Sequence, residues 1–191
     1  MALYIPGVIY RNLNTRMARI GAVDLSGDIN LDDAALSQKL NSVNYVAFHG
    51  VVDNTTVTTV YIKEDATIQN KTALMRTMLT QVKKPSASIL VVTHTPIKGR
   101  ILEKITTISN VSANIFLYDP TTNVNVPQHI IADPAEIKEF CNRWYTQPDK
   151  FPKILSTDPQ AVWLDLKPGM VVKVVRASES ACSAIVYRLC V

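Results

Sequence analysis

A continuous apolar run, SILVV at residues 88–92, sets the tightest limit on the fold, because it lies between two segments of helical periodicity. An unbroken apolar run of this length is typical of a strand that is covered on both faces of a sheet. The helical segments are residues 68–83 and 97–108, and β-rich runs flank them at residues 55–63 and 113–118. Strand, helix, strand, helix and strand in this order predict parallel crossovers and therefore an α/β domain.

The residues before this pattern predict two helices and a hairpin. Apolar side chains recur every three or four positions over residues 5–20, which predicts a helix that Gly21 ends. An acid-led second helix is predicted at residues 31–40. The run YVAFHGVV at residues 45–52 is separated from the next β-rich run by Asp53-Asn54, a two-residue hairpin signal.

A change of pattern at residues 119–127 predicts a domain boundary, because this stretch has many turn formers and no periodicity. We therefore predict an N-terminal domain at residues 1–122 and a C-terminal domain at residues 123–191. The second begins with a helix that Asp133 caps, with Pro134 at its first position and Glu136 at the capping-box position. Helix followed by strands makes it a small α+β module.

The last 40 residues predict a two-stranded ribbon. Lys167-Pro168-Gly169 predicts a type II turn, because glycine supplies the positive φ that the third position requires. The strands MVVKVVR and AIVYRLCV carry apolar residues on both faces, which one small helix cannot cover. One apolar face is therefore expected to pack elsewhere, either on the N-terminal domain or on a partner.

Composition excludes several classes of protein. Hydrophobic residues make up 47% of the 191 residues, which is enough for a packed core, and no run of about 18 apolar residues predicts a membrane span. The N-terminus has no signal-peptide pattern, so we expect an intracellular protein that is not secreted. Three cysteines without CxxC spacing predict neither a disulfide framework nor a zinc site.

Catalytic patterns are absent from the sequence. His49, His94 and His129 are scattered, which favours structural roles, and there is no phosphate-binding glycine loop or nucleophile motif. A metal-dependent nuclease would need a second carboxylate on the strand after Asp53, but Tyr61 occupies that position. We therefore predict no catalytic residue, no metal site and no cofactor.

The loop THTPIKGR at residues 93–100 is the best candidate for contact with a polyanion. Thr95 and Pro96 suit a helix N-terminus, from which Lys98 and Arg100 project beside free backbone amides. Residues 51–100 also carry seven Lys and Arg against three Asp and Glu. A phosphate contact and an ordinary capped helix with solvated bases explain this pattern equally well.

The stretch FPKILSTDPQAVWLDLKPGMVVKVVRASES, with the later YRL, resembles the C-terminal signature of the fifth subunit of eukaryotic-type RNA polymerases, a family with an archaeal counterpart. The stretch NVPQHIIADPAEIKEF is similar to the preceding part of that family's sequence. The signature positions that match are Pro152, Lys153 (arginine in the family), Ile154, Asp158, Pro159, Lys167, Gly169, Val171, Val172, Arg176, Ser178, Glu179, Tyr187, Arg188 and Leu189.

This resemblance implies a fold and partners. The first 120 residues would be the jaw domain, an α/β nuclease-like core without an active site, near downstream double-stranded DNA. Its implied DNA-backbone contacts are Thr95, Pro96, Lys98 and Arg100. The C-terminal assembly module would dock on the largest polymerase subunit. Its implied interface comprises Pro152, Ile154, Asp158, Pro159, Lys167, Gly169, Val172, Arg176, Glu179, Tyr187 and Arg188.

Three positions depart from the family pattern: Val162 stands where arginine is usual, and Asp165 and Cys182 stand where glycine is usual. This divergence and the short N-terminus imply a viral or protist member. The implied function is that of a non-catalytic subunit of a multisubunit RNA polymerase, in a nucleus or, for a virus, in a cytoplasmic factory or virion. The alternative is a free DNA-binding transcription regulator that reuses the fold.

Overall fold

The computed structural model describes residues 5–63, 88–94, 108–178 and 182–191. The chain divides into two compact units, Met1–Tyr118 and Asp119–Val191. The division lies four residues before the predicted boundary, because the short 3₁₀ helix Pro120–Thr122 packs within the second unit, against the helix at Pro159–Trp163. Among the described residues, no helix is both long enough and apolar enough to cross a membrane.

The N-terminal unit begins with helix α1 (Ile5–Arg19), as the periodicity predicts. Its apolar stripe is buried, with Ile9, Leu13 and Met17 no more than 1% exposed. Gly21 ends the helix in the left-handed region at a φ of 73°. Helix α2 (Asp33–Val43) follows strand β1 (Val23–Gly27).

The sheet of this unit has the strand order β1-β2-β3-β4-β5. Strands β2 (Tyr45–Val52) and β3 (Thr55–Ile62) form the predicted hairpin, with Asp53 and Asn54 both at positive φ, as a type I′ turn requires. Strands β4 (Ser88–Thr93) and β5 (Ile108–Ser112) then add in parallel to β3, which confirms parallel pairing. Strand β4 is buried from its second residue to its last, as its continuous apolar run predicts.

Two sequence predictions are wrong in this unit: the strand at residues 113–118 and the inclusion of Ile108 in a helix. Residues 113–118 do not form a strand, because β5 ends at Ser112, whose hydroxyl accepts a hydrogen bond from the Asn114 amide and caps a 3₁₀ helix at Ala113–Phe116. The exposed edge strand β1 was not predicted. The predicted helix at 68–83 lies outside the described residues, as do residues 97–107 of the next one, and Ile108 belongs to β5.

The C-terminal unit contains a four-stranded sheet with the order β6-β8-β9-β7. Its strands are β6 (Gln128–Ile131), β7 (Lys153–Ile154), β8 (Val171–Ser178) and β9 (Cys182–Cys190), and its helices are α3 (Pro134–Trp144) and α4 (Pro159–Trp163). The predicted turn before β8 is confirmed. The Met170 amide donates to the Lys167 carbonyl at 3.0 Å, and Gly169 has a φ of 93°.

The expectation that one apolar face of the β8–β9 ribbon must pack outside the unit is corrected by the two helices. One core cluster joins α4 to Val172, Val174 and Cys190. The other joins α3 to Val171, Tyr187 and Leu189 on the opposite face. The sequence pattern missed α4 and the edge strand β7, and these elements, with α3, let the unit pack against both faces of its central hairpin.

The hairpin turn provides a test of the N-terminal fold. Replacing Asn54 by valine should lower the free energy of unfolding by about 1–2 kcal/mol, because a β-branched residue is strained at positive φ. Replacing Asn54 by glycine, which adopts this conformation freely, should leave that free energy within about 0.5 kcal/mol of wild type. Urea unfolding followed by circular dichroism measures both values, and equal stability of the two variants would contradict the turn assignment.

Candidate functional site

The predicted DNA contacts, Thr95, Pro96, Lys98 and Arg100, lie outside the described residues. The structure describes the strand that leads to them. Strand β4 ends at Thr93, and the His94 Nε2 atom that follows lies 3.0 Å from the Tyr61 hydroxyl oxygen of β3. The carboxyl ends of these parallel strands therefore meet where the predicted loop begins.

The residues considered for a nuclease site are far apart along β3. Asp53 lies in the turn before the strand, whereas Tyr61 lies at its other end with a fully buried side chain. Each histidine hydrogen-bonds within the protein: His49 contacts Thr58, His94 contacts Tyr61, and His129 contacts the Pro127 carbonyl. Within the described ranges, no three His, Cys, Asp or Glu residues are grouped so as to hold a metal ion.

Three of the predicted interface residues belong to the core of the C-terminal unit. Ile154 is 5% exposed, Val172 is 0% exposed and Tyr187 is 7% exposed. Their side chains pack against α3 or α4. They are therefore accessible to a partner only if the unit opens, and the structure supports a packing role for them.

Three other predicted interface residues shape the turns around helix α4. Asp158 caps the helix, because its carboxylate accepts a hydrogen bond from the Gln160 amide at 2.8 Å, and Pro159 occupies the first turn. Lys167 lies beside the next turn, and its Nζ atom is 3.0 Å from an Asp165 carboxylate oxygen. The matched motif thus includes residues that fix local turns as well as residues that lie on the surface.

The two glycine departures both fall at left-handed backbone positions. Asp165 has a φ of 55° and Cys182 has a φ of 58°. Glycine adopts this region without steric cost, whereas other residues are strained there. The structure therefore retains the backbone conformation that the usual glycine suits, although the side chain differs.

Six of the described interface residues are on the surface. Pro152, Pro159, Lys167, Gly169, Arg176 and Arg188 are exposed, and Glu179 lies outside the described residues. Arg176 and Arg188 are long cationic side chains of the β8–β9 hairpin, and they lie on one face of it. The exposed candidate interface therefore combines three cations with two prolines and a glycine.

A polar connection that the sequence did not predict links α3 to the sheet. A single Glu136 carboxylate oxygen accepts hydrogen bonds from the Lys173 ammonium group and the Tyr187 hydroxyl group, each at 2.6 Å. The predicted capping box is therefore wrong, since Asp133 caps the Ala135 amide while Glu136 turns toward the sheet. A glutamate three positions after a cap gives no signal that distinguishes these two uses.

This connection shifts two pKa values. The hydrogen bonds from Lys173 and Tyr187 lower the pKa of Glu136 below its ordinary value. Burial, together with the hydrogen bond to Glu136, raises the pKa of Tyr187 to about 12. The Tyr187 ring also packs on Phe140, with ring centroids 4.7 Å apart, and on Phe151 at 5.9 Å. The aromatic cluster and the shared carboxylate together hold α3 against β8 and β9.

Comparison with known proteins identifies the C-terminal unit. Residues 118–190 match the family model described as RNA polymerase Rpb5, C-terminal domain. These limits nearly coincide with the compact unit Asp119–Val191. The chain therefore carries an Rpb5 C-terminal domain, as the resemblance predicts.

Curated relatives extend the similarity beyond this domain. The DNA-directed RNA polymerase RPB5 homolog of African swine fever virus (isolate Tick/Malawi/Lil 20-1/1983) is 33% identical over 129 residues, which cover 60% of this chain and 62% of the viral protein. The rpabc1 subunit of DNA-directed RNA polymerases I, II and III of Dictyostelium discoideum is 37% identical over 89 residues, which cover 47% of this chain and 45% of that protein. The chain thus spans less than two thirds of the length of these relatives and is homologous to viral and cellular Rpb5 subunits.

The Tyr187 hydroxyl group provides a test of this packing. Its folded pKa is raised above the ordinary value of 10.0, so its contribution is fully present below pH 10 and is lost as the pH rises toward about 12. Tyr187→Phe should lower the free energy of unfolding at pH 7 by about 1 kcal/mol, through loss of one hydrogen bond. The variant should also lose less of that free energy than wild type between pH 10 and pH 12.

Urea unfolding across this pH range measures both effects. The matched control is Tyr145→Phe, because the Tyr145 side chain belongs to the same unit, is 98% exposed and makes no hydrogen bond among the described residues. The same pH dependence in both variants would rule out the stabilising role of the Glu136–Tyr187 contact.

Proposed function

We propose that this chain, which carries an Rpb5 C-terminal domain, is a non-catalytic structural subunit of a multisubunit DNA-directed RNA polymerase. The observation that carries the proposal is the coincidence of the family match at residues 118–190 with a separately packed unit at Asp119–Val191. The unit contains two apolar clusters, one on each face of the β8–β9 hairpin. The reaction of the polymerase would be carried out by other chains.

The C-terminal unit would attach the chain to the largest polymerase subunit and to neighbouring subunits. Its buried positions, such as Val172 and Tyr187, would keep the domain folded, while its exposed positions would make the contacts. Pro152, Lys167, Arg176 and Arg188 are the exposed candidates. An interface of polar groups around a folded domain suits assembly from partners that are stable beforehand.

The N-terminal unit would act as the jaw that helps to hold downstream double-stranded DNA. Support comes from the basic excess of residues 51–100 and from the parallel strands β3 and β4, whose carboxyl ends lead to Thr95, Pro96, Lys98 and Arg100. Cations beside helix amides contact phosphates without reading base sequence. Such a contact would hold DNA of any sequence, as a moving polymerase requires.

The setting of this polymerase would be viral or cellular. Homologues occur in African swine fever virus and in Dictyostelium discoideum. A viral polymerase would place the chain in a cytoplasmic factory or virion, whereas a cellular one would place it in the nucleus. Which of these two locations applies depends on whether a virus or a cell encodes the chain.

Purification from the native source tests the assembly role. The tagged full chain should recover the two large polymerase subunits in stoichiometric amounts, as measured by mass spectrometry. Deletion of residues 119–191 should abolish this recovery, because the deletion removes the whole C-terminal unit and leaves the compact unit before it. Recovery of the wild-type chain alone, or with unrelated proteins, would favour the free DNA-binding regulator.

Alanine at Lys98 and Arg100 tests the jaw role. The double variant should assemble normally, while the whole polymerase should hold downstream DNA less firmly because two phosphate contacts are lost. In that case its elongation complexes should dissociate at lower salt. The slope of the logarithm of DNA affinity against the logarithm of salt concentration should also become shallower, by the amount that about two phosphate contacts contribute. The control is Lys138→Ala with Lys150→Ala, which removes two cations from the C-terminal unit. Unchanged salt sensitivity and processivity would contradict the DNA contact.

A further inference from the structure

One face of the β8–β9 hairpin presents two arginines in register. Arg188 pairs with Val172, and Arg176 pairs with Ala184, in the antiparallel ladder. Directly paired residues share a face, as do residues two apart along a strand. Arg176 and Arg188 therefore lie on the same face, which is also the face that packs on α4.

The two arginines lie at opposite ends of this surface. Along β8, Arg176 lies four positions from Val172, the partner of Arg188, which is a span of roughly 13 Å. On β9, Ala184 lies opposite Arg176 and Val186 lies between Ala184 and Arg188, and both are half-buried. The surface thus has a cation at each end and two small apolar side chains along β9. We refer to Arg176, Ala184, Val186 and Arg188 as the arginine face.

Neither arginine is neutralised within the part of the chain that the structure describes. Both side chains are exposed, and neither makes a hydrogen bond or ion pair there. The two acidic groups that flank α4 have other uses, since Asp158 caps the helix and Asp165 pairs with Lys167. By contrast, Lys173 on the opposite face is paired with Glu136.

We infer that the arginine face binds an extended acidic segment of another polymerase subunit, with carboxylates about four residues apart and small apolar residues between them. The guanidinium group matches a carboxylate in a two-pronged hydrogen bond. An extended segment places carboxylates four residues apart at roughly the 13 Å span of the two arginines. This inference rests on the proposed function, because the segment would belong to another subunit of the same polymerase.

The two small apolar side chains favour a peptide over a nucleic acid. Ala184 and Val186 would be covered by the apolar side chains of a peptide, whereas a sugar-phosphate backbone would place charged groups against them. A nucleic-acid surface also commonly combines cations with aromatic rings for stacking. The other two residues of the arginine face are Ala184 and Val186, and neither provides such a ring.

Charge reversal of the full chain tests the site. Arg176→Glu and Arg188→Glu should each weaken retention of the chain in the polymerase, and the double variant should lower the affinity by about tenfold to a hundredfold. The matched control is Lys138→Glu, an equal charge change at an exposed lysine of α3 that makes no hydrogen bond or ion pair among the described residues. Thermal unfolding checks that each variant remains folded, as expected for exposed positions.

Conservative replacement identifies the partner groups. Arg176→Lys and Arg188→Lys keep the charge and introduce an amine that a zero-length carbodiimide couples to a carboxylate in contact with it. We expect cross-links from both lysines to Asp or Glu residues of one segment on a polymerase subunit, mapped by mass spectrometry. That result, with weakened retention of the charge-reversal variants, supports both the segment and the proposed function.

Other outcomes separate the two proposals. Unchanged retention of the double charge-reversal variant, without cross-links, overturns the acidic segment and leaves the proposed function standing. Cross-links to an acidic segment of a protein outside the polymerase, with no polymerase recovered, overturn the proposed function. Retention that nuclease treatment abolishes, without carboxylate cross-links, shows a nucleic acid on the arginine face and overturns the peptide.

Discussion

The antiparallel pairing of β8 with β9 holds the C-terminal unit together. It runs in unbroken register from Val171 opposite Leu189 to Ser178 opposite Cys182. A shift by one residue would exchange the two faces of a strand, so that Val172 would lose its core position. Both apolar cores, the Glu136 connection and the two arginines therefore have their places because of one register.

The packing of the C-terminal unit gives the matched signature residues different roles. From the resemblance alone, each matched side chain would be expected to contact the partner. In this unit Val172 and Tyr187 are core residues and Asp158 is a helix cap, so these matched residues maintain the fold. Arg176 and Arg188 are exposed, so they remain available for the contacts that we propose.

The fold was predictable where local pattern and tertiary packing agree. The hairpin at Asp53-Asn54, the buried run of β4 and the turn at Gly169 follow from short-range chemistry, and the structure has each of them. Prediction failed where distant residues decide. Glu136 has the spacing of a capping box, but Lys173 and Tyr187, both far along the chain, take its carboxylate instead.

The sequence alone predicted the parallel strands around β4, the helix and turn boundaries near strong signals, and the resemblance to an Rpb5 C-terminal domain. These predictions succeed because they depend on residues close together in the chain. The division into core and surface residues came from packing alone. Strand alternation places neighbours such as Val171 and Val172 on opposite faces, and the helices packed on each face determine what remains exposed. For this reason the arginine face becomes apparent only when β8, β9 and α4 are assembled.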